Sequence, residues 1–268
     1  MNDLLVQPPL SLTEDVVVHE LAARTRLTES TVLVEIGGNA GRAWATRLGV
    51  GAWHSVDPRN AEGINGQVTS WCAKGEDMPL GDNSADIVFS CNAFQFVNFG
   101  GVLRDAHRVL RPGGILYSHF GPIWSGPDGH QLEYVQYEGR ELRFWSDTLL
   151  PPYAHLRFSP EELRSVLHTA IPNSLADALV WHIHSSTTIN RLFAEDYLDL
   201  VRTSPFSIRE FVLSDHLDYA IETPRYAHEL LEQEFNLREL GAATPCSMHK
   251  THQLGVRDVR MLLQKPGH

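Results

Sequence analysis

The residue types and spacing in one stretch are those of a nucleoside site. In VLVEIGGNAGRAWATRLGVGAWHSVDP, residues 32–58, an apolar run leads into Gly37, Gly38 and Gly41, and a second apolar run ends on Asp57. A glycine turn lets the main chain approach a ligand, and the helix after it presents free N–H groups. Asp57 stands 20 residues after Gly37, where an acid at the end of the next strand can accept both ribose hydroxyls. The phosphate fingerprint needs glycine at its first, third and sixth positions. Counted from Gly37 the later two are Asn39 and Arg42, and counted from Gly38 they are Ala40 and Ala43. Neither frame fits a dinucleotide, and Glu35 would repel a pyrophosphate.

An acid at that point suits a ligand with a cationic end and no phosphate. S-adenosylmethionine is such a ligand, with its adenosine, sulfonium and α-amino group. Beyond the turn, Asn92 and Gln95 follow a predicted strand whose end should face the cofactor, with solvated loop residues as the competing reading. Phe94, Phe96 and Phe99 read as core and pocket wall.

Fourteen histidines form a second set. His119 ends a predicted strand, His130 lies in SGPDGHQ, and His155 precedes LRFSPEEL. A general base needs a pKa near the working pH, which imidazole supplies. His130 is the first candidate and His155 the second, against the plainer reading of packed side chains. Trp124, Tyr134 and Trp145 are candidates to wall an apolar or aromatic acceptor, with Gln95 and His119 beside them. His182 and His184 alternate on a predicted strand and so share one face. No HExxH, CxxC or acid-rich loop accompanies the histidines, so no metal is expected.

The elements that must position these residues follow an alternating rhythm. Val32–Ile36, Ala52–Val56, Ser84–Ser90 and Ile115–Phe120 read as buried strands. Arg42–Leu48 reads as a helix stopped by Gly49 and Gly51. A second helix, carrying Val102, Leu103, Ala106, Val109 and Leu110, ends at Pro112-Gly113-Gly114. Such alternation implies a parallel sheet covered on both faces. After residue 120 comes the Gly/Pro-rich loop GPIWSGPDGHQ. Helices are then predicted at SPEELRSVL, with Ser159 and Glu162 as a capping box, at Ile189–Val201 and at Arg225–Phe235. The division expected is a helical lead-in (1–30), a cofactor-binding core (31–122), a mostly helical cap over a small substrate (123–255) and a final strand (256–268).

Composition narrows the function classes. The chain has 268 residues and a formal charge of −11, from 22 basic and 33 acidic side chains. An acidic chain without a basic run repels phosphate backbones, so nucleic acid is not an expected partner. No apolar run reaches the roughly 20 residues of a membrane helix. The start, MNDLLVQPPLSLTEDVV, lacks a basic n-region, so no signal peptide is expected. Cys72, Cys91 and Cys246 are widely spaced, which suggests a reducing, cytoplasmic compartment. Oligomeric state stays open, a homodimer included.

EIGGNAG resembles the first motif of class I S-adenosylmethionine-dependent methyltransferases, acid-x-Gly-x-Gly-x-Gly. Glu35, Gly37 and Gly41 match, and Asn39 replaces the middle glycine. SVDP, EDMPLGDNSADIVFSCNAFQFV and RVLRPGGILY resemble three later family segments in order, so the likeness spans about residues 31–120. It implies an α/β, Rossmann-like fold with a seven-stranded, mostly parallel sheet whose last strand is antiparallel. It implies S-adenosylmethionine as cofactor, held by Glu35, Gly37, Gly38, Asn39, Gly41, Asp57 and Asn92. Many relatives have an adenine-binding acid where this chain has Lys74. Glu76 or Asp77 takes that role, or the main chain at Gly75 does. The expected activity is O- or N-methylation of a small-molecule acceptor, such as a natural-product or sugar intermediate. Two alternatives use the same pocket: sulfonium chemistry releasing methylthioadenosine, and cofactor binding without turnover.

Overall fold

The computed structural model describes residues 13–38, 41–133, 135–145, 149–215, 226, 228–244 and 252–267. In chain order the strands are β1 (Val32–Ile36), β2 (Ala52–Val56), β3 (Gly63–Asn65), β4 (Val68–Trp71), β5 (Ala85–Cys91), β6 (Leu110–Phe120), β7 (Val135–Tyr137), β8 (Arg140–Leu142), β9 (Ser207–Ser214) and β10 (Asp258–Gln264). Eight of them form one sheet in the order β3-β4-β2-β1-β5-β6-β10-β9, and β7 and β8 form a separate hairpin. The central pairings β4/β2, β2/β1, β1/β5 and β5/β6 are parallel. The last strand, β10, runs antiparallel to β6.

The expectation of seven strands is thus exceeded by one. The addition is β3, a three-residue edge strand antiparallel to β4 and exposed at every position. Its sequence, Gly-Ile-Asn, has no buried face and therefore no apolar pattern to read. By contrast β1 is buried at four of its five positions, which is why its continuous apolar run is conspicuous.

The chain divides into two units: Met1–Gly121 with Asp196–Leu213 and Val259–His268, and Pro122–Glu195 with Ser214–Asp258. In the first unit, α1 (Glu14–Arg24) buries Val17, Val18 and Leu21 against Leu33, Trp53, Phe89 and Tyr117 of the sheet. Each such fully buried aliphatic side chain contributes roughly 1.5–3 kcal/mol. An ion network pins the same helix. Glu20 accepts from Tyr117 Oη at 2.8 Å and meets His119 Nδ1 at 2.8 Å, while Arg260 bridges Glu20 and Glu210. The helices α2 (Gly41–Leu48) and α3 (Phe99–Val109) fill the expected crossovers. Phe94, Phe99, Phe120 and Tyr197 form an aromatic cluster, with Tyr197 5.0 Å from Phe99 and 5.1 Å from Phe120 between ring centroids.

The second unit holds α4 (Ala154–Arg157), α5 (Pro160–His168) and α6 (Asn173–His184). Ser159 and Glu162 form the expected capping box at the start of α5. Two predicted helices are shorter than expected. Ile189–Val201 becomes α7 (Ala194–Thr203), because Arg191 takes a left-handed φ of 55° and the Asn190 side chain accepts from Leu192 N at 3.1 Å. Of Arg225–Phe235, the described helical part is α8 (Glu229–Glu232), a single turn opened by His228 accepting from Leu230 N–H. A further short helix, α9 (Leu237–Ala243), is capped by Asn236.

Candidate functional site

Two glycines of the turn after β1 are required by sterics. Gly37 has a φ of 76°, and a Cβ there would lie 2.2 Å from Ala93 Cβ. At Gly38 a Cβ would lie 1.9 Å from Glu35 Oε1, so the acid folds directly beneath the turn. Glu35 is buried and accepts from the Trp53 indole N–H at 3.0 Å. Ser55 Oγ donates to Gly38 O at 2.9 Å and ties the turn to β2. Gly41 opens α2. Asn39 lies outside the described residues.

Asp57 ends β2. Its carboxylate accepts from Arg59 main-chain N at 2.7 Å, Arg59 Nε at 3.0 Å and Arg59 Nη2 at 3.1 Å. Burial pushes its pKa up, but the arginine side chain and the N–H outweigh that, and the net shift is downward. Asp57 is therefore ionised at neutral pH. Its partner is the more expendable one, since the Arg59 side chain is 84% exposed. Gly75 is buried with no room for a side chain, as a Cβ would meet Ile36 Cγ2 at 2.5 Å. Beside it Glu76 is half-buried and Asp77 exposed.

Asn92 and Gln95 converge on one residue, Gly121. Asn92 has a φ of 49°, and its Oδ1 accepts from Gly121 N at 3.3 Å. Gln95 Nε2 donates to Gly121 O at 3.3 Å, and its buried Oε1 has no partner among the described residues. Together they clamp the chain where β6 ends. His119 is engaged by Glu20 in the network under α1.

The second unit gathers the other histidines. The segment Gly121–His130 is buried throughout, which is unusual for a loop. His155 Nε2 lies 2.8 Å from Trp124 O. A carbonyl only accepts, so Nε2 carries the hydrogen and Nδ1 holds the lone pair. That Nδ1 is buried without a partner among the described residues. Burial lowers the His155 pKa to about 4, partly opposed by the Trp124 carbonyl, so the ring is neutral at pH 7.

His130 lies 6.0 Å from His155 between ring centroids. Its Nδ1 already accepts from Leu132 N at 3.1 Å, and burial, His155 and His182 hold its pKa well below the ordinary value. The predicted strand bearing His182 and His184 is instead the end of α6, so the two rings do not share a face. Positions two apart on a helix are separated by about 200°. The alternation in VWHIH is brief, whereas Ala176, Leu179, Val180 and Ile183 keep a helical period and are buried. His182 Nε2 donates to His130 O at 3.0 Å.

Trp124, His155, Arg191, Phe193 and Leu240 line a cleft of about 360 Å³. Trp145 instead packs edge-on to Phe144 at 4.5 Å, beneath the Arg143 guanidinium. Tyr134 lies outside the described residues. Among the described residues no three His, Cys, Asp or Glu side chains are placed to hold a metal ion. No helix among them is long and apolar enough to cross a membrane.

Three participants escape sequence reasoning. Arg59 has a readable signal, since Asp-Pro-Arg favours an Asp side chain accepting from the N–H two residues on. Arg191 and Glu20 have none, because their partners are distant in the chain.

Comparison with known proteins bears on the first unit. A family model described as a methyltransferase domain matches residues 42–118. A malonyl-[acyl-carrier protein] O-methyltransferase of Dechloromonas aromatica is 46% identical over 72 residues, 26% of this chain and 28% of that protein. An uncharacterized methyltransferase of Mycobacterium ulcerans is 32% identical over 133 residues, 44% of this chain and 50% of that protein. The chain thus matches half or less of the length of these relatives. Among solved structures, the methyltransferase in complex with the Haloferax volcanii Trm112 activator aligns with a TM-score of 0.51 at 17% identity, over 93% of this chain and 89% of that one. Geranyl diphosphate methyltransferase aligns with a TM-score of 0.50 at 13% identity, over 94% of this chain and 77% of that one. These likenesses are of fold.

Proposed function

We propose that this chain, which belongs to the class I S-adenosylmethionine-dependent methyltransferase family, transfers a methyl group to an oxygen or nitrogen of a small-molecule acceptor. The observation that carries the reading is the turn at Gly37 and Gly38 folded over buried Glu35, with ionised Asp57 at the end of the neighbouring strand. Two acids at the turn and the strand end suit an adenosine with a cationic tail and disfavour a pyrophosphate. When bound, S-adenosylmethionine supplies an activated methyl on a sulfonium.

The chain's own residues bind and orient. Glu35 offers negative charge beneath the turn. Asp57 accepts the ribose hydroxyls as Arg59 swings into water. The main chain at Gly75, with Glu76 and Asp77 beside it, borders the adenine. Asn92 and Gln95 hold the main chain at Gly121. Positioning of this kind supplies much of the rate in a displacement at carbon. Of the two candidate bases, His155 lines a cleft and has a lone pair at Nδ1 without a partner among the described residues, but with its pKa lowered to about 4 it is a weak base whose part is to accept a hydrogen bond from the acceptor. His130 Nδ1 is already used by Leu132 N–H.

The relatives' acceptors are not carried over, given how little of those proteins is matched. The net acidity argues for an acceptor other than nucleic acid. The free thiols Cys72 and Cys91 fit a cytoplasmic setting. The test is incubation with methyl-labelled S-adenosylmethionine and an acceptor panel, followed by identification of the sulfur product. Adenosylhomocysteine with a labelled acceptor is expected. Methylthioadenosine would replace methyl transfer with other sulfonium chemistry. Cofactor binding with no product from any acceptor would mark a silent binding protein.

A further inference from the structure

The cleft that contains His155 also holds a charged group that methyl transfer does not account for. Its one charged wall is Arg191. Other arginines of this unit have carboxylate partners: Arg143 meets Glu141, Arg164 meets Asp177, and buried Arg257 is held by Asp128 and Asp258. Arg191 has no carboxylate among the described residues, although the chain has 33 acids for 22 bases. Its Nε and Nη2 donate to Ile183 O at 3.0 and 2.9 Å, which fixes the side chain and leaves Nη1 with no partner among the described residues. Arg157 and Arg238 also lack a carboxylate among the described residues, but neither lines the cleft.

The guanidinium lies 5.5 Å from the Trp124 ring. Opposite in character is His155, whose Nδ1 is a buried acceptor in want of a donor. Trp124, Phe193, Leu156, Leu240 and Ala243 are aromatic or aliphatic walls, and the Thr244 hydroxyl donates to Leu240 O at 2.8 Å. The volume of about 360 Å³ sits at the small end of the roughly 300–1,000 Å³ typical of ligand pockets. A lone guanidinium repels a cation and is too little charge for a polyphosphate. It is matched to a single carboxylate.

We propose that this cleft binds a small organic anion: a carboxylate on a planar, aromatic or conjugated body that also bears a hydroxyl or N–H. The carboxylate pairs with Arg191, the body packs on Trp124 and Phe193, and the hydroxyl donates to His155 Nδ1. This binding is independent of methyl transfer, and the inference stands whether or not the anion is methylated.

Calorimetry on the full chain tests it, with 4-hydroxybenzoate, neutral 4-hydroxybenzyl alcohol and benzoate as probes. One equivalent of 4-hydroxybenzoate should bind, with the alcohol weaker by about tenfold or more. Arg191→Gln should abolish that preference and Arg191→Lys should keep part of it. In His155→Phe, 4-hydroxybenzoate and benzoate should bind alike. Thermal midpoints and cofactor affinity report whether each variant is folded. If a variant is not folded, the wild-type ranking of the three probes decides alone. Equal affinity for acid and alcohol, no binding at millimolar probe, or an intact preference in folded Arg191→Gln would overturn the proposal. So would loss of probe binding in excess S-adenosylmethionine, which would place the probe in the glycine turn.

Discussion

At the end of β2, Asp57 keeps a full charge in a largely buried position because Arg59 stands beside it. In the second unit, His130 and His155 are buried with no acid among their partners in the described residues and remain neutral. One region stores charge with an exposed, exchangeable partner. The other stores uncharged donors and acceptors whose tautomers are set by main-chain groups. A charged ligand group can replace Arg59 without leaving a buried charge unpaired. A ligand in the histidine region meets directed lone pairs instead. The first arrangement suits a cofactor that enters and leaves at every turnover, and the second suits discrimination among acceptors.

The comparison is broken most severely at Gly38. Replacing it with valine puts carbon where Glu35 Oε1 lies, 1.9 Å from an ideal Cβ. Either the turn or the acid must move. S-adenosylmethionine affinity should fall by at least about a hundredfold, an effect of the size expected when a close main-chain approach is lost. Far-UV circular dichroism separates this from unfolding. A Gly38→Val protein that binds as the wild type does would show that the turn is not where the cofactor sits.

Asp57→Ala comes next. It removes the ionised acceptor proposed for two ribose hydroxyls, each worth about 1.5–3 kcal/mol, less the modest cost of releasing Arg59. The balance of about 2–6 kcal/mol is roughly a 30-fold to 10,000-fold rise in Kd, read by calorimetry. Unchanged affinity would mean that Asp57 serves only to close its own turn with Arg59.

Acid separates the two regions without any mutation. Between the ordinary histidine pKa of 6.5 and about 4, the unfolded chain takes up a proton at His155 and the folded one does not. Stability therefore falls as pH falls through that window, by about 1.4 kcal/mol per pH unit for each such histidine. His130, lowered in the same direction, adds to it. In the first unit, Glu20 and Glu210 are lowered from 4.5, with burial opposing and their ion-pair partners prevailing. Their contribution is full above 4.5 and is lost only below it. Half-buried His54 and His107 of the first unit are lowered too, mainly by burial, so amides of α5 and α6 should lose more hydrogen-exchange protection near pH 5 than those of β1 and β5. Equal loss in both would show that the histidines are not what holds the second unit.

Much of the first region is legible because its determinants are local. Gly37, Gly38 and Asp57 act through φ, sterics and a strand end, all of which leave a mark in consecutive residues. The buried strand β1 is legible for the same reason. The histidine region is not, since its partners are main-chain carbonyls far along the chain. Trp124 O for His155 and His130 O for His182 are set by packing, and carbonyls carry no sequence signal. The misread strand at His182 and the short α7 have the same origin. Two residues of alternation, or a left-handed Arg191, depend on what surrounds them rather than on their own preference.

The smallest effect sharpens the comparison most. If Arg59 is only a placeholder on Asp57, then Arg59→Ala should leave cofactor binding intact or tighten it slightly. An exposed ion pair is worth about 0–1 kcal/mol, so the gain is at most roughly fivefold in affinity. Salt should mimic the mutation, since an arginine that is 84% exposed is well screened. Calorimetry at low and moderate ionic strength reads both effects. The wild type should approach the variant as salt rises, because screening weakens the pair that the ribose must displace. A loss of affinity in Arg59→Ala would instead make the arginine part of the bound state. Asp57 would then resemble the second region, a group positioned by a partner that stays.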